Sequence, residues 1–246
     1  MSVNKVNLEE RAKRLRKETL DLAMEIECGH LAPAFSMVEI LVALETVLNK
    51  DDKFILSKGH GCLSFYIALR QRGFAPIISE HPDIQVEQGI ECTTGSLGHG
   101  LPIGVGMAFA KKFKKEAGTV YVLMGDGECQ EGTTWESLLL ASHHKLTNLT
   151  IIIDYNKLQA LGSIEGILSL ENLNDKFSAF GSYVLEVDGH CFPEIIDALN
   201  KEVNKPRVII AHTIKGKGMS FAENIPGWHT RLPEGEQLKQ AYRELA

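Results

Sequence analysis

Tyr121-Val-Leu-Met-Gly-Asp-Gly127 and Ile151-Ile-Ile-Asp-Tyr-Asn156 are the two stretches of this sequence that decide its fold. Each is a short apolar run that ends in polar residues, which is typical of a buried strand followed by a turn. The segment between them, from Glu131 to Leu146, has the apolar spacing and the length of one helix. Strand, helix and strand in this order predict a parallel pair, because such crossovers are right-handed.

Polar side chains follow both strands at what should be one edge of the sheet. Because ligands of open parallel sheets bind outside the carboxyl ends of the strands, we expect the carboxylate of Asp126 to lie near the amide of Asn156. Mg²⁺ is usually held by one or two protein oxygen ligands together with substrate phosphates, which this pair would suit. Gly125 and Gly127 would let the backbone approach a phosphate. Taken alone, Gly-Asp-Gly is more often an ordinary turn at the end of a strand, and that alternative stays open at this point.

Composition limits the class of protein. The chain has 246 residues, of which 44% are hydrophobic and 24% charged, enough for one large α/β domain or two small ones. The formal net charge of −6 gives no basic surface for nucleic acid, so we expect no DNA or RNA partner.

The cysteines and the amino terminus indicate where the protein works. The five cysteines are scattered, odd in number and without a Cys-x-x-Cys pair, which argues against a zinc knuckle and a disulfide framework. There is no apolar signal region and no stretch long enough to span a bilayer. We therefore predict a cytoplasmic protein without a membrane partner.

The alternation of strands and helices continues on both sides of the opening motif. Further buried strands are predicted at 54–57, 183–187 and 207–211. Two helices are predicted in the region 1–50, and the stretch 73–95 is a long loop of the kind that is usually functional. The sequence thus predicts an α/β fold, with three α/β/α layers around a mainly parallel sheet, in a single domain over residues 1–246.

Four motifs in order carry a family resemblance. They are Leu56-Ser-Lys-Gly-His-Gly61, Thr93-Thr-Gly-Ser-Leu-Gly-His-Gly100, Gly125-Asp-Gly-Glu-Cys-Gln-Glu-Gly132 and Asp154-Tyr-Asn156. Together they resemble the N-terminal part of a transketolase, over most of the chain from Gly29 to Pro233. The resemblance implies a thiamin-diphosphate-binding fold, with thiamin diphosphate and Mg²⁺ as cofactors and ketol transfer between sugar phosphates as the activity.

The resemblance also implies a partner. Whole transketolases continue with a pyrimidine-binding domain and a C-terminal domain, so the chain is similar to the N-terminal subunit of a split transketolase. In the family, the glutamate that activates the aminopyrimidine ring comes from the pyrimidine-binding domain. We therefore expect the chain to be inactive without a separate C-terminal subunit, in an assembly of two copies of each (α2β2).

Site residues follow from the same resemblance. The implied metal ligands are Asp126, Asn156 and the carbonyl of Leu158. The implied cofactor contacts are His60, Gly95, Ser96, Leu97, Gly125, Asp126, Gly127, Glu128, Asn156 and His229. The implied catalytic and substrate-facing residues are His30, His60, His81, His99 and His229. Glu131 and Glu136 match a carboxylate pair that links the two active sites in the family, although acids are also common in the first turn of any helix.

One departure and two rival functions remain. The first loop usually contains Gly-His-Pro-Gly-Gly in this family, whereas here it reads Gly29-His-Leu-Ala-Pro-Ala-Phe35, which adds bulk next to His30, the implied sugar contact. The rival enzyme is the α subunit of a 2-oxoacid dehydrogenase-type decarboxylase, which shares the Gly-Asp-Gly and Asn pairing. The rival of another class is a non-catalytic, cofactor-binding regulatory module.

Overall fold

A five-stranded, wholly parallel sheet forms the centre of the computed structural model, which describes residues 5–246. The strands are β1 (Lys53–Leu56), β2 (Val120–Gly125), β3 (Leu149–Tyr155), β4 (Tyr183–Asp188) and β5 (Arg207–His212). Their order across the sheet is β1-β2-β3-β5-β4. The predicted parallel sheet is therefore confirmed.

Helices precede, connect and follow these strands. They are α1 (Lys5–Glu25), α2 (Leu31–Phe35), α3 (Val38–Val47), α4 (Cys62–Gln71), α5 (Gly100–Lys114), α6 (Gly132–His143), α7 (Ile164–Ile167), α8 (Leu173–Ala179), α9 (Phe192–Asn200) and α10 (Gly235–Glu244). Within residues 5–246, no helix is long and apolar enough to cross a bilayer. The single domain over residues 1–246 stays a prediction, and its first four residues lie outside the described part of the chain.

Two hydrophobic clusters lie on opposite faces of the sheet. One contains the buried sides of α1, α3, α4 and α9 together with alternate strand residues such as Leu123 and Ile152. The other contains those of α5, α6 and α8 with the intervening strand residues, such as Val122 and Ile153. Because both faces of β2, β3 and β5 are covered, these three strands are nearly continuous apolar runs, whereas the edge strand β4 is mostly half-buried or exposed. The predicted three α/β/α layers are confirmed.

The register of β2 and β3 places the site. Gly125, the last residue of β2, pairs with Asp154 of β3 in the parallel register. Asp126 and Asn156 therefore leave the sheet at its carboxyl edge from adjacent strands, as the sequence predicted. Close packing behind them depends on glycine, because a Cβ at Gly104 of α5 would lie 2.4 Å from Cγ2 of Val122 in β2.

The structure differs from the sequence prediction in its short helices. The sequence did not predict α2, α7 and α8, because helices of at most seven residues depend on burial against the rest of the chain more than on local periodicity. It also did not predict α10, which has ten residues, as α3 and α4 do. In contrast, the predicted loop 73–95 holds only a 3-10 turn at Val86–Gln88 and one isolated bridge between Gln85 and Ile90.

Candidate active site

A cavity of about 290 Å³ opens at the carboxyl edge of the sheet. The segments that follow β1, β2, β3 and β5 all contribute to its wall. The predicted site residues that line it are His30, His60, His81, Gly95, Leu97, Gly125, Asp126, Gly127, Glu128, Asn156, Leu158 and His229. Folding therefore brings together twelve of the predicted residues, from segments far apart in the sequence.

Asp126 is a buried carboxylate to which no cationic side chain of residues 5–246 is bonded. It is 3% exposed and accepts hydrogen bonds from the backbone N–H groups of Gly127 at 2.9 Å and Lys157 at 2.5 Å. Burial, followed by the negative charge of Asp154, raises the pKa of Asp126 to about 7. A bound cation would stabilise the ionised carboxylate at this position.

Asn156 and Leu158 add oxygen atoms beside this carboxylate. The side-chain Nδ2 of Asn156 donates to Oδ2 of Asp154 at 3.3 Å, and its Oδ1 accepts the N–H of Leu158 at 3.1 Å. Lys157 between them has a φ of 66°, so the backbone turns sharply there. A carboxylate, an amide oxygen and a main-chain carbonyl are the oxygen ligands that a hard divalent cation accepts.

The number of oxygen donors limits the kind of metal ion that could bind here. In the part of the chain that the structure describes, no group of three or more His, Cys, Asp and Glu side chains could hold a metal by itself. A cation here would need further ligands from water or from a bound phosphate, as is usual for Mg²⁺. The donor set therefore fits Mg²⁺ held jointly with a diphosphate.

Lys58, which lines the cavity, forms a buried ion pair with Asp154, and neither residue was assigned a role from the sequence. Lys58 Nζ donates to Oδ2 of Asp154 and to the carbonyl of Pro33, and the Ser36 hydroxyl donates to the same carboxylate oxygen at 2.6 Å. Burial alone would raise the pKa of Asp154, but the Lys58 ammonium and the hydrogen bonds hold it below its usual value. Lys58 lies within one of the four motifs, which is the one signal in the sequence that points to it.

Lys215 is a second buried cation that was not predicted from the sequence. It follows β5, and its Nζ donates to the carbonyl of Leu158 at 2.9 Å and to Nδ1 of His229 at 2.8 Å. Burial, followed by the charge of Lys58, lowers the pKa of Lys215 to about 8. The ammonium form therefore predominates near pH 7, at a position where it lines the cavity and is bonded to no carboxylate of the described residues.

Four histidines from separate segments form one group in the cavity. The ring of His229 lies 5.3 Å from that of His60, in a stacked arrangement, and 5.4 Å from that of His30. The ring of His81 lies 6.2 Å from that of His30. Burial lowers the pKa of His30 and of His60, and burial together with Lys215 lowers the pKa of His229 to about 3. These three rings are neutral near pH 7, so each can donate one hydrogen bond and accept another without adding charge.

Four predicted site residues lie outside the cavity wall. They are Ser96, His99, Glu131 and Glu136, and all four are exposed. Nδ1 of His99 lies 3.0 Å from the carbonyl of Leu97 and 3.2 Å from the Ser96 hydroxyl, so that ring packs on its own loop. Their roles stay predictions.

The unusual first loop has a defined structure. Leu31–Phe35 forms the short helix α2, every residue of which is buried. Pro33 lines the cavity and its carbonyl accepts the hydrogen bond from Lys58 at 2.8 Å. The bulk that departs from the family pattern is therefore accommodated in the core, and His30 still lines the cavity.

Comparisons with known proteins agree with this geometry. The family described as "Transketolase, thiamine diphosphate binding domain" matches residues 10–244. The chain is 39% identical to one of the subunits of an apulose-4-phosphate transketolase from Phocaeicola vulgatus, over 97% of this chain and 94% of that protein. It is 37% identical to a subunit of a 6-deoxy-6-sulfo-D-fructose transketolase from a Clostridium species, over 100% of this chain and 98% of that protein.

A solved structure gives the same result. The chain superimposes on transketolase from Campylobacter jejuni with a TM-score of 0.89 at 30% identity, over 99% of this chain and 43% of that one. The agreement confirms the predicted fold class. The chain belongs to the transketolase family and corresponds to its thiamine diphosphate-binding, N-terminal part.

Proposed function

We propose that the chain is the diphosphate-binding subunit of a split transketolase that transfers a two-carbon ketol unit from a ketose phosphate to an aldose, with thiamin diphosphate and Mg²⁺. The observation that carries the proposal is the meeting of Asp126 and Asn156, from adjacent strand ends, in one cavity with a buried lysine. A rival decarboxylase would need a similar clamp, but the family match favours ketol transfer.

In this proposal Asp126, Asn156 and the Leu158 carbonyl hold Mg²⁺, and Gly127 lets the backbone approach the diphosphate. Lys215 is the cation best placed for a phosphate oxygen, because it lines the cavity and no carboxylate in the described part of the chain is bonded to it. Ser96 and Leu97 would contact the organic rings of the cofactor.

The histidines would handle the hydroxyl groups and protons of the sugar. Because Nδ1 of His229 accepts the hydrogen bond from Lys215, the proton of that neutral ring lies on Nε2, which can donate to a substrate oxygen. His30, His60 and His81 border the same space and His99 its rim. The bound cofactor would supply the carbanion chemistry of the transfer.

The partner in this proposal is a separate subunit with the pyrimidine-binding domain, in an α2β2 assembly, and Glu131 and Glu136 would link the paired sites. Relatives that are themselves named as transketolase subunits support such an arrangement. The names of those relatives also support ketose substrates that carry an anionic group. A cytoplasmic location remains part of the proposal.

The activity test mixes the chain with the product of a neighbouring gene that encodes the pyrimidine-binding half. With thiamin diphosphate and Mg²⁺ we expect ketol transfer from xylulose 5-phosphate or a related ketose phosphate, and no activity from either half by itself. Decarboxylation of a branched 2-oxoacid without ketol transfer would contradict the assignment. Cofactor binding without any turnover would favour a regulatory module.

The metal site is tested with Asp126→Ala in the same complex. Removal of a metal-ligating carboxylate should weaken Mg²⁺-dependent binding of thiamin diphosphate by more than about 100-fold, measured by calorimetry. Asp197→Ala is the matched control, because Asp197 is an exposed carboxylate on α9. Equal affinities for the two variants would contradict the proposed role of Asp126.

A further inference from the structure

Glu128 is a buried carboxylate that joins three separate segments of the chain. It is 0% exposed. Its Oε1 accepts hydrogen bonds from the Ser57 hydroxyl at 2.5 Å and from the N–H of Gly98 at 2.9 Å, and its Oε2 accepts from the N–H of Gly125 at 2.9 Å. Ser57 follows β1, Gly125 ends β2, and Gly98 lies in the loop before α5. One side chain thus fixes two strand ends and a loop relative to one another.

Glu128 is one of the few anchors of the loop 93–99, much of which projects into solvent. The N–H of Thr94, which donates to the carbonyl of Pro82 at 3.0 Å, is another. The exposed residues of the loop are Thr93, Gly95, Ser96, Leu97 and His99. Gly98 has a φ of 78°, and a Cβ there would lie 2.6 Å from Cβ of Glu131. Glycine therefore allows the close approach in which the residue 98 N–H reaches Glu128, while Thr133 holds the Gly98 carbonyl at 2.8 Å.

The contact requires a carboxylate. All three partners are donors, and they approach both oxygens of Glu128. A glutamine has one acceptor oxygen, so one end of its side chain would place an amide N–H against a backbone N–H. A buried donor left without an acceptor costs more than the hydrogen bond that was lost.

We propose that Glu128 is a positioning residue that sets the distance between the loop around Gly95 and the turn at Gly125–Gly127. The inference rests on the proposed function, in which that loop contacts the cofactor rings and the turn contacts its diphosphate. The family resemblance implied a direct cofactor contact for Glu128, whereas its hydrogen bonds in the described structure all go to protein donors. Its effect on the cofactor then passes through the two segments that it joins.

This role makes a selective prediction. A ligand that spans both segments needs them at the correct separation, but a ligand that occupies only the diphosphate region does not. Loss of the Glu128 carboxylate should therefore weaken the binding of thiamin diphosphate more than the binding of inorganic pyrophosphate. General destabilisation of the fold would weaken the binding of the two ligands equally.

The experiment measures both affinities by calorimetry in the complete complex with Mg²⁺. Pyrophosphate is titrated by itself, and it is also added as a competitor while thiamin diphosphate is titrated. For Glu128→Gln we expect thiamin diphosphate to bind at least about 10-fold more weakly and pyrophosphate to change less than about 3-fold. Glu116→Gln, at an exposed position, is the matched control and should change neither. Glu128→Asp keeps the charge but shortens the reach, so it should show the same selectivity if Glu128→Gln fails to fold.

Each outcome decides something different. If the Glu128 variants bind both ligands equally more weakly, or bind thiamin diphosphate as the original complex does, the positioning role is overturned while the proposed function stays intact. If the unaltered complex binds neither ligand, the proposed function itself fails, and the inference fails with it.

Discussion

Two buried aspartates at adjacent strand ends have opposite surroundings. Asp154, in β3, is 0% exposed and its carboxylate accepts hydrogen bonds from Lys58, Ser36 and Thr213. Asp126, just after β2, is 3% exposed and receives only backbone N–H groups within the described residues. The pKa of Asp154 is held below its usual value, whereas that of Asp126 is raised to about 7.

The difference separates a structural carboxylate from one that is available to a ligand. A buried charge is tolerated when it is paired and hydrogen-bonded, and Asp154 meets both conditions with groups of the protein. Asp126 meets the second condition only in part, so a cation from outside the chain would complete it. Proximity to the sheet edge alone would not distinguish the two residues.

The largest effect on stability should come from breaking the ion pair between Lys58 and Asp154. Lys58→Met leaves the Asp154 carboxylate buried without its cation, and we expect a loss of about 3–5 kcal/mol in the free energy of unfolding. Urea denaturation of the chain at pH 7 measures it. Lys53→Met is the matched control, because Lys53 pairs with Glu91 but is partly exposed, and its loss should stay below about 1 kcal/mol. Similar losses for both variants would show that Asp154 is not stabilised by its pair.

An intermediate effect of opposite sign should follow at Asp126. Because its pKa is raised in the folded chain, the folded state binds more protons than the unfolded state between about pH 4 and 7, and stability falls as the pH rises through that window. Asp126→Asn should therefore gain about 2 kcal/mol of stability relative to the original chain between pH 4 and pH 8 in EDTA, because the amide does not ionise. The amide offers one acceptor oxygen to the two backbone N–H groups, so this gain adds to a loss that does not depend on pH. A stability difference between the two proteins that stays constant from pH 4 to pH 8 would erase the contrast with Asp154.

The smallest effect extends the comparison to a third buried carboxylate. Glu39 accepts hydrogen bonds from Arg16 at 2.6 Å and 2.7 Å, and its Oε2 lies 2.9 Å from Nδ1 of His190. Burial alone would raise the pKa of Glu39, but His190 and Arg16 together lower it to about 2. The stability that this ionised group contributes is present above about pH 4.5 and is lost as the pH falls towards 2.

His190→Gln removes one partner of Glu39 while Arg16 remains. We expect a loss of about 1 kcal/mol at pH 7, measured by thermal or urea unfolding from pH 7 to pH 2. The part of the loss due to Glu39 should disappear as the pH falls from 4.5 to 2, whereas the part due to the N–H of Ile214, which donates to Nε2 of His190 at 2.9 Å, should remain. His212→Gln is the control, because the pair between His212 and Glu186 is exposed, so its effect should be below about 0.5 kcal/mol. A loss for His190→Gln that does not depend on pH would indicate a packing effect instead.

The central strands and crossover helices were predictable because their signals are local. The apolar runs before Asp126 and Asn156, and the glycines around them, indicate strand ends and tight turns within a few residues. Short helices such as α2 were not predictable, since Leu31–Phe35 is stabilised by burial against distant parts of the chain. For the site, twelve of the predicted residues meet in one cavity. The other predicted residues, among them Glu131 and Glu136, are exposed outside it.

The sequence by itself determined the order of strands and helices, the residues at the strand ends and the family to which the chain belongs, because these depend on periodicity and on short motifs. Only the tertiary structure decided which buried acid has a cation. Lys58 and Asp154 are 96 residues apart in the chain, and Lys215 is 57 residues from Leu158. No local pattern encodes such pairs, since the free energy of a buried charge depends on all the groups that folding brings around it.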